Sequence, residues 1–318
     1  MLRTEPTDRA VEWPTILLLL ATYGLWALGT TALWSFSPVL AVILTMLAVA
    51  QQSSLQHEAL HGHPFANPHL NQALVFVPFG LIYPYGRFRD LHLAHHFDPN
   101  LTDPYDDPES NFQDPAVWAR MSPARRVLLK ANNTLLGRIL LGTAIGGLAF
   151  VRADFAAMLS GDRAVRRDWA LHAAGLALLA LWLALVAEMP VWAYLLAAYG
   201  GNSLIKIRTF LEHRAHEAFR ARTVVVEDRG PLSLLFLNNN LHVVHHCHPN
   251  VAWYDLPALY RGNRDHYLRR NEAYVYRSYG QIFRNHFLRA KDPVPHPIWP
   301  VQKAPADTPS CDGVKAAE

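Results

Sequence analysis

Long stretches without charged residues alternate along this chain with polar, histidine-rich stretches. Residues 13–56 contain no Asp, Glu, Lys or Arg. A helix that crosses a membrane needs about 20 apolar residues, so this stretch is long enough for two. Residues 35–38 suit a short turn, because Pro38 disfavours a continuous helix. We therefore predict a first helical hairpin with membrane spans near 13–34 and 38–56.

A second uncharged region predicts a second hairpin, with spans near 169–187 and 190–207. Two further apolar stretches, 70–88 and 134–151, are interrupted by prolines or by arginine, and we predict that they are interfacial or core segments. The pattern as a whole predicts an all-α integral-membrane fold. We expect four transmembrane helices in two hairpins beneath a cytoplasmic helical cap.

Basic residues indicate the orientation. Both predicted hairpin turns lack Lys and Arg, and basic residues lie at the opposite helix ends, namely Arg3, Arg9, Arg163, Arg166, Arg167, Lys206 and Arg208. The positive-inside rule then places both termini and residues 57–168 in the cytoplasm. Residues 1–290 are expected to form one membrane domain, and 291–318, with six prolines, a disordered tail.

Composition limits the classes of protein that remain. The 318 residues are 51% apolar and 17% charged, with a formal charge of +3. This excludes a disordered chain and a strongly basic nucleic-acid-binding protein. The two cysteines, Cys247 and Cys311, cannot form a framework of several bridges, and we expect no structural disulfide.

Histidines carry the predicted chemistry. Ten of the 17 fall within 57–63, 92–96 and 242–248. The first cluster pairs His57 with His61, and the others repeat an i, i+3, i+4 spacing, with His92, His95, His96 and with His242, His245, His246. Such spacing puts imidazoles on one helical face, where they can bind one ion. Eight such ligands exceed the needs of one ion, so two metals are the simplest arrangement.

His213 follows the fourth predicted span much as His57 follows the second. It is a candidate ninth ligand or, equally, a solvated histidine of a polar linker. His63 and His248 each precede a proline outside the repeating spacing, which favours a surface or supporting role.

Two other classes of protein fit parts of this pattern. Residues 57–61 match H-E-x-x-H, in which two histidines bind zinc and the glutamate is a general base. An intramembrane zinc metalloprotease would also need a third ligand, usually in an apolar Asp-Gly setting, and one zinc would not explain the other clusters. A metal transporter would be expected to carry ionisable groups within its spans, and 13–56 contains none.

The three histidine boxes, with their positions after spans two and four, resemble those of the membrane-bound fatty acid desaturase and hydroxylase superfamily. Residues 208–213 are similar to the R-x-x-x-E-H segment of bacterial members, and 238–257 to a bacterial fatty acid desaturase branch. The likeness covers 13 to about 265. Thr209 departs from the pattern of animal acyl-CoA members, which have an asparagine at this position.

The resemblance implies two iron ions held by nine histidines, and it extends the predicted ligand set to His57, His61, His92, His95, His96, His213, His242, His245 and His246. It implies an O2-dependent fatty acid desaturase of a bacterial inner membrane, with its histidine boxes on the cytoplasmic side. The substrate would be an acyl lipid, an acyl carrier or a similar long apolar molecule within the membrane lipid. Hydroxylases and carotenoid ketolases share these boxes and remain alternatives; an acidic stretch near Asp107 is similar to one in ketolases.

Supporting residues and partners complete the predictions. Glu58, Glu212, Asp90 and Asp228 are candidates to accept the second ring proton of ligating imidazoles. Arg87 and Arg89 are predicted interface anchors, or contacts to an anionic head group or redox partner. The sequence contains no fused cytochrome segment, dinucleotide fingerprint or Cys-x-x-Cys pair. Two electrons would therefore come from a separate ferredoxin, rubredoxin or cytochrome.

Overall fold

The computed structural model describes residues 11–97 and 100–300. The described chain is mostly helical, and its one regular sheet has two short strands. It divides into two compact units: the first comprises residues 11–90 and 142–206, the second residues 91–141 and 207–300. We call them the hairpin unit and the histidine unit.

Fifteen α-helices are present in the described residues. In chain order they are α1 Trp13–Thr30, α2 Ala32–Phe36, α3 Pro38–Leu60, α4 Pro68–Leu74, α5 Tyr85–Phe97, α6 Pro115–Arg120, α7 Pro123–Asn132, α8 Leu135–Leu159, α9 Arg163–Leu185, α10 Val191–Thr209, α11 Pro231–Leu235, α12 His242–Cys247, α13 Leu256–Gly262, α14 Arg264–Arg270 and α15 Tyr279–His286. Strands β1 Val225–Val226 and β2 Val275–Tyr276 pair in parallel.

The first hairpin forms where the sequence predicts it. The side chain of Ser37 accepts a hydrogen bond from Leu40 N, and Pro38 occupies the first turn of α3, where its missing N–H is not needed. Helix α3 continues past the predicted end at residue 56 to Leu60. The first histidine box, residues 57–61, therefore lies in its last turn and C-cap.

The second hairpin, α9 and α10, points the same way as the first, with its turn next to the turn of the first hairpin. The backbone N–H groups of Glu188 and Met189, in its turn, donate to the carbonyl of Thr30 at the end of α1. The two hairpin turns therefore meet at one end of the hairpin unit. Helix α10 lies close along α3, since a Cβ added to Gly201 would fall 2.5 Å from Val49 Cγ1. Small residues permit this close approach.

Four helices of the described chain are long and apolar enough to cross a membrane: α1, α3, α8 and α9. This differs from the prediction at two places. Helix α10 forms at the predicted fourth span, but Asn202, Lys206 and Arg208 make it too polar for this group. Helix α8 begins at Leu135 and covers nearly all of the stretch 134–151, which the sequence predicts to be interfacial or core, yet α8 has the length and composition of a span.

The contacts of α8 within the hairpin unit show how it packs there. Thr143 Oγ1 lies 3.1 Å from Ser203 Oγ of α10, and the Nε1 of Trp169 in α9 donates to Asp154 Oδ2 at 2.8 Å. At 1.5 Å per residue, Ser203 and Trp169 lie about 20 and 25 Å from the α9–α10 turn. Helix α8 therefore crosses the ends of α9 and α10 that are remote from their turn. The stretch 70–88 forms no long helix, as Pro78 and Pro84 predict.

The histidine unit is built around a small apolar core next to its two strands. Val243 and Val244 of α12 pack with Val225 of β1 and Leu256 of α13. Val243 N also donates to Val224 O at 3.1 Å. These contacts fix α12, and with it the third histidine box, against the strand pair.

Two expectations about the end of the chain need correction. Residues 291–300, expected to be disordered, pack in the histidine unit: Lys291, Val294 and His296 are largely buried, and Val294 O accepts from Gln113 N at 2.9 Å. An extended, proline-rich strand can pair through its carbonyl groups without being a helix. Residues 301–318 lie outside the described residues. Cys247 is disulfide-bonded, so the expectation of no disulfide is wrong; Cys311 also lies outside the described residues.

Candidate metal centre

Seven of the predicted ligands meet within the histidine unit. They come from the last turns of α5, from the segment after α10, and from α12. They form two clusters, in each of which the ligand nitrogens lie within 4.8 Å of one another. Cluster A contains His92, His96 and His245, and cluster B contains His95, His213, His242 and His246.

The Nε2 atoms converge in both clusters. In cluster A, His96 Nε2 lies 3.0 Å from that of His92 and 3.1 Å from that of His245. In cluster B, the Nε2 of His213 lies 2.9 Å from that of His95 and 3.1 Å from that of His242. The rings therefore present the same nitrogen to a common point in each cluster.

The two clusters are neighbours. The rings of His96 in cluster A and His246 in cluster B stack with centroids 4.3 Å apart. Because these side chains belong to different clusters, two bound ions would form a dinuclear site.

The opposite nitrogens of three rings face oxygen acceptors. His92 Nδ1 lies 2.7 Å from Glu109 Oε1, and His95 Nδ1 lies 2.7 Å from Asp107 Oδ1. Ionised carboxylates only accept hydrogen bonds, so each Nδ1 carries a proton, which leaves Nε2 as the nitrogen that a metal ion would bind. Asn239 Oδ1 does the same for His242 Nδ1 at 3.0 Å.

A tight acidic turn after the second histidine box holds these carboxylates in place. Asp107 Oδ1 also accepts from Glu109 N at 2.9 Å, and Asp107 Oδ2 accepts from Thr102 N at 2.8 Å. From the sequence, this acidic stretch is noted only for its similarity to one in ketolases, and its contacts with the histidines are not predicted. The paired carboxylates and rings are 12 and 17 residues apart, separations that give no helical periodicity to link particular carboxylates to particular rings.

Burial and neighbouring charges set the protonation of the rings. Burial and adjacent imidazoles lower the pKa of His96 to about 2, and those of His213, His242 and His246 well below the ordinary value. For His95, burial acts to lower the pKa, but Glu109 and Asp107 outweigh it and raise the pKa to about 9. Most of the rings are therefore neutral at neutral pH, the form that binds metal.

The four carboxylates predicted to support ligands occupy different surroundings. Glu212 is buried, pairs with Arg208 at 2.8 Å, and has Oε1 3.8 Å from His242 Nδ1. Burial raises the pKa of Glu212 against the lowering effect of Arg208. Asp90 pairs with Arg89, and Asp228 accepts from the backbone N–H groups of residues 230 and 279; within the described residues neither carboxylate forms a hydrogen bond or ion pair with a predicted ligand.

The first histidine box belongs to the hairpin unit. Glu58, His57 and His61 are largely buried in the last turn and C-cap of α3, and the two rings meet edge to face with centroids 4.9 Å apart. Gly62 follows with φ +97°, a left-handed conformation that ends the helix at low cost. The flanking His63 contacts Glu12 at 2.6 Å, as suits a supporting role.

The donor set in the histidine unit fits metal ions. In each cluster, imidazole nitrogens face one another at about 3 Å, an arrangement that needs either a shared proton or a cation between them. Imidazole suits iron, copper and zinc, and the carboxylates behind the rings are the outer contacts that metal-ligating histidines usually make.

Apolar helices of membrane-spanning length and two adjacent all-histidine clusters define the class: this is a histidine-rich integral-membrane metalloprotein. The family model for fatty acid desaturases matches residues 32–278, and the chain belongs to that family. It is therefore a membrane oxidoreductase of the desaturase and hydroxylase type. A search of curated proteins finds no significant match.

Proposed function

We propose that this protein is an O2-dependent di-iron fatty acid desaturase that takes two electrons from a separate donor. The observation that carries the proposal is the pair of adjacent clusters whose Nε2 atoms converge while Glu109 and Asp107 accept hydrogen bonds from the far side of the rings. Family membership supports oxidoreductase chemistry on lipids.

We assign nine histidines as ligands. Four belong to cluster B, three to cluster A, and His57 and His61 supply the remaining two, as the family's histidine boxes imply. Six-coordinate iron accepts imidazole together with exchangeable ligands. These imidazoles would hold the two ions, and the ions would supply redox chemistry.

The reaction explains why redox-active metal is needed. An unactivated methylene has no acidic proton and no leaving group, so side-chain acids, bases and nucleophiles cannot attack it. Bound iron would supply the oxidising power, and zinc would not. Overall, –CH2–CH2– with O2, two electrons and two protons gives –CH=CH– and two waters. The protein residues would hold the ligand rings and fix their tautomers.

We propose that the histidine boxes share the cytoplasmic side of a bacterial inner membrane. The meeting of the two hairpin turns at one end of the hairpin unit supports parallel hairpins, α1–α3 and α9–α10. Helix α8 then lies at the interface, which the packing of Asp154 and Thr143 favours.

A test combines metal analysis with product analysis. The protein is expressed in a bacterium that has a ferredoxin system, and fatty acids and lipids are analysed by mass spectrometry. We expect two irons per chain and a product 2 mass units lighter than its precursor. The His245→Ala variant should not form this product. The matched variant His216→Ala, outside the clusters, should still form it. A product 16 units heavier would indicate hydroxylation, and one 14 units heavier a ketone, as in a carotenoid ketolase. One zinc without iron would favour the metalloprotease.

A further inference from the structure

A second site lies within the hairpin unit, in a cavity of about 550 Å³ that opens to the surface. Its walls come from α4, the first turn of α5 and the first turns of α9. We propose that this cavity binds the headgroup of a phospholipid carrying a primary ammonium, that is, a phosphatidylethanolamine. The inference rests on the membrane character of the chain and not on the proposed reaction.

One wall of the cavity is cationic. Arg89 and Arg167 both line it, and among the described residues each forms an ion pair only with the carboxylate next to it in sequence. Side-chain exposure is 32% for Arg89 and 62% for Arg167, so these pairs are weak and can exchange for a phosphate. The nearby Arg87 is committed elsewhere, since it makes two bonds of 2.9 Å to Asp154.

Asp168 supplies an acceptor in the same cavity. The residue is 4% exposed, and Oδ1 accepts from Arg167 at 3.0 Å, while Oδ2 is buried with no hydrogen-bond partner among the described residues. The carboxylate packs against Gly86, where an added Cβ would lie 2.5 Å from Asp168 Cγ. A buried carboxylate oxygen without a donor is costly, and a ligand ammonium that reached it would remove that cost.

The apolar walls of the cavity, and its position near the start of a candidate membrane span, favour a lipid over a soluble phosphate. Ala73, Phe76 and Leu171 form an apolar side, and Leu171 is 40% exposed. Helix α9, a candidate span, begins at Arg163, so Arg167 lies about 6 Å along its axis. That is about the thickness of one headgroup layer, since a bilayer of 40–45 Å has a hydrocarbon core of about 30 Å.

Phosphatidylethanolamine matches both polar features. Its phosphate would face the two arginines and its ammonium would face Asp168, while an acyl chain would follow the apolar side. Phosphatidylcholine has the same phosphate but no N–H to donate. Comparison of the two lipids therefore isolates the contribution of Asp168.

The test measures lipid binding to the detergent-purified full-length protein by native mass spectrometry, with phosphatidylethanolamine, phosphatidylcholine and glycerophosphate as probes. The double variant Arg89→Gln/Arg167→Gln should weaken phosphatidylethanolamine binding about thirtyfold, since each basic residue near a phosphate surface contributes about five- to sixfold. Arg163→Gln, on the same helix but outside the cavity lining, is the matched control and should bind normally.

The Asp168→Asn variant should lose the preference for phosphatidylethanolamine over phosphatidylcholine while still binding both. The inference is overturned if the double variant binds as tightly as the Arg163→Gln control, if wild-type protein shows no preference between the lipids, or if glycerophosphate competes as well as the intact lipid. Binding is compared in protein with and without metal, so failure here leaves the proposed oxidation untouched, and failure of the oxidation leaves this result untouched.

Discussion

Replacing Asp107 by asparagine tests the role of the acidic turn behind cluster B. In the native protein both carboxylate oxygens accept hydrogen bonds, Oδ1 from His95 Nδ1 and Oδ2 from Thr102 N. Asparagine has one acceptor and one donor at these positions. Either orientation of the amide therefore sets a donor against a donor, at the ring of His95 or at the backbone of Thr102.

The magnitude follows from the burial of the site. Asp107 is 4% exposed, so solvent cannot replace the lost contact. A buried group left without its hydrogen bond costs about 1–3 kcal/mol. Loss of an outer contact to a ligating histidine typically weakens metal binding about 10- to 100-fold. The two figures agree, and we expect cluster B to lose affinity by that factor while cluster A changes little.

The assay is a titration of purified apo-protein with Fe(II) or Co(II) against a competing chelator, with the two binding steps fitted separately. Asp106→Asn is the matched control, because it removes the same charge from the same turn at an exposed position. Equal affinities of Asp107→Asn, Asp106→Asn and wild type for both ions would refute the reasoning.

Three further predictions concern metal removal, packing and topology. Metal at 100 times its dissociation constant should stabilise the protein by about 2.7 kcal/mol, seen as a raised melting temperature that a chelator reverses; an unchanged melting temperature would argue against specific binding. Gly201→Ala should lower the melting temperature through a clash with Val49 worth about 1–3 kcal/mol, whereas Gly24→Ala, with open space around it, should not; equal values would contradict the packing of α10 on α3. In a Cys-less background that retains activity, Glu188→Cys should react with an impermeant thiol reagent from the side opposite the histidine boxes and Ser160→Cys from the same side; the reverse pattern would make α8 a span.

The sequence predicts most of the hairpin unit because its signals are local. Charge-free length predicts α1 and α3, and Pro38 marks the turn between them. The sequence becomes ambiguous where the length of an apolar stretch indicates a membrane span but its packing does not. Helix α8 has the composition of a span, yet Asp154 is satisfied by Arg87 and Trp169, partners that only the fold brings together.

For the histidine unit, too, the sequence predicts some features of the site and not others. The i, i+3, i+4 spacing predicts which rings share a helix face, but it cannot divide seven histidines between two clusters. His95 and His96 are adjacent in sequence and belong to different clusters, because neighbouring residues of a helix point about 100° apart. The outer contacts were predicted next to the boxes, at Glu58 and Glu212, whereas the carboxylates that bind His92 and His95 come from a turn more than ten residues away.

The ordered segment 291–300 bears directly on cluster B. The Nζ of Lys291 donates to the carbonyl of His213 and, at 3.0 Å, to the hydroxyl of Tyr274, so the backbone of a predicted ligand rests on a residue from the far end of the polypeptide. Any shortened or tagged version of the protein should therefore keep residues through 300. Truncation before this proline-rich segment would remove a contact that supports cluster B.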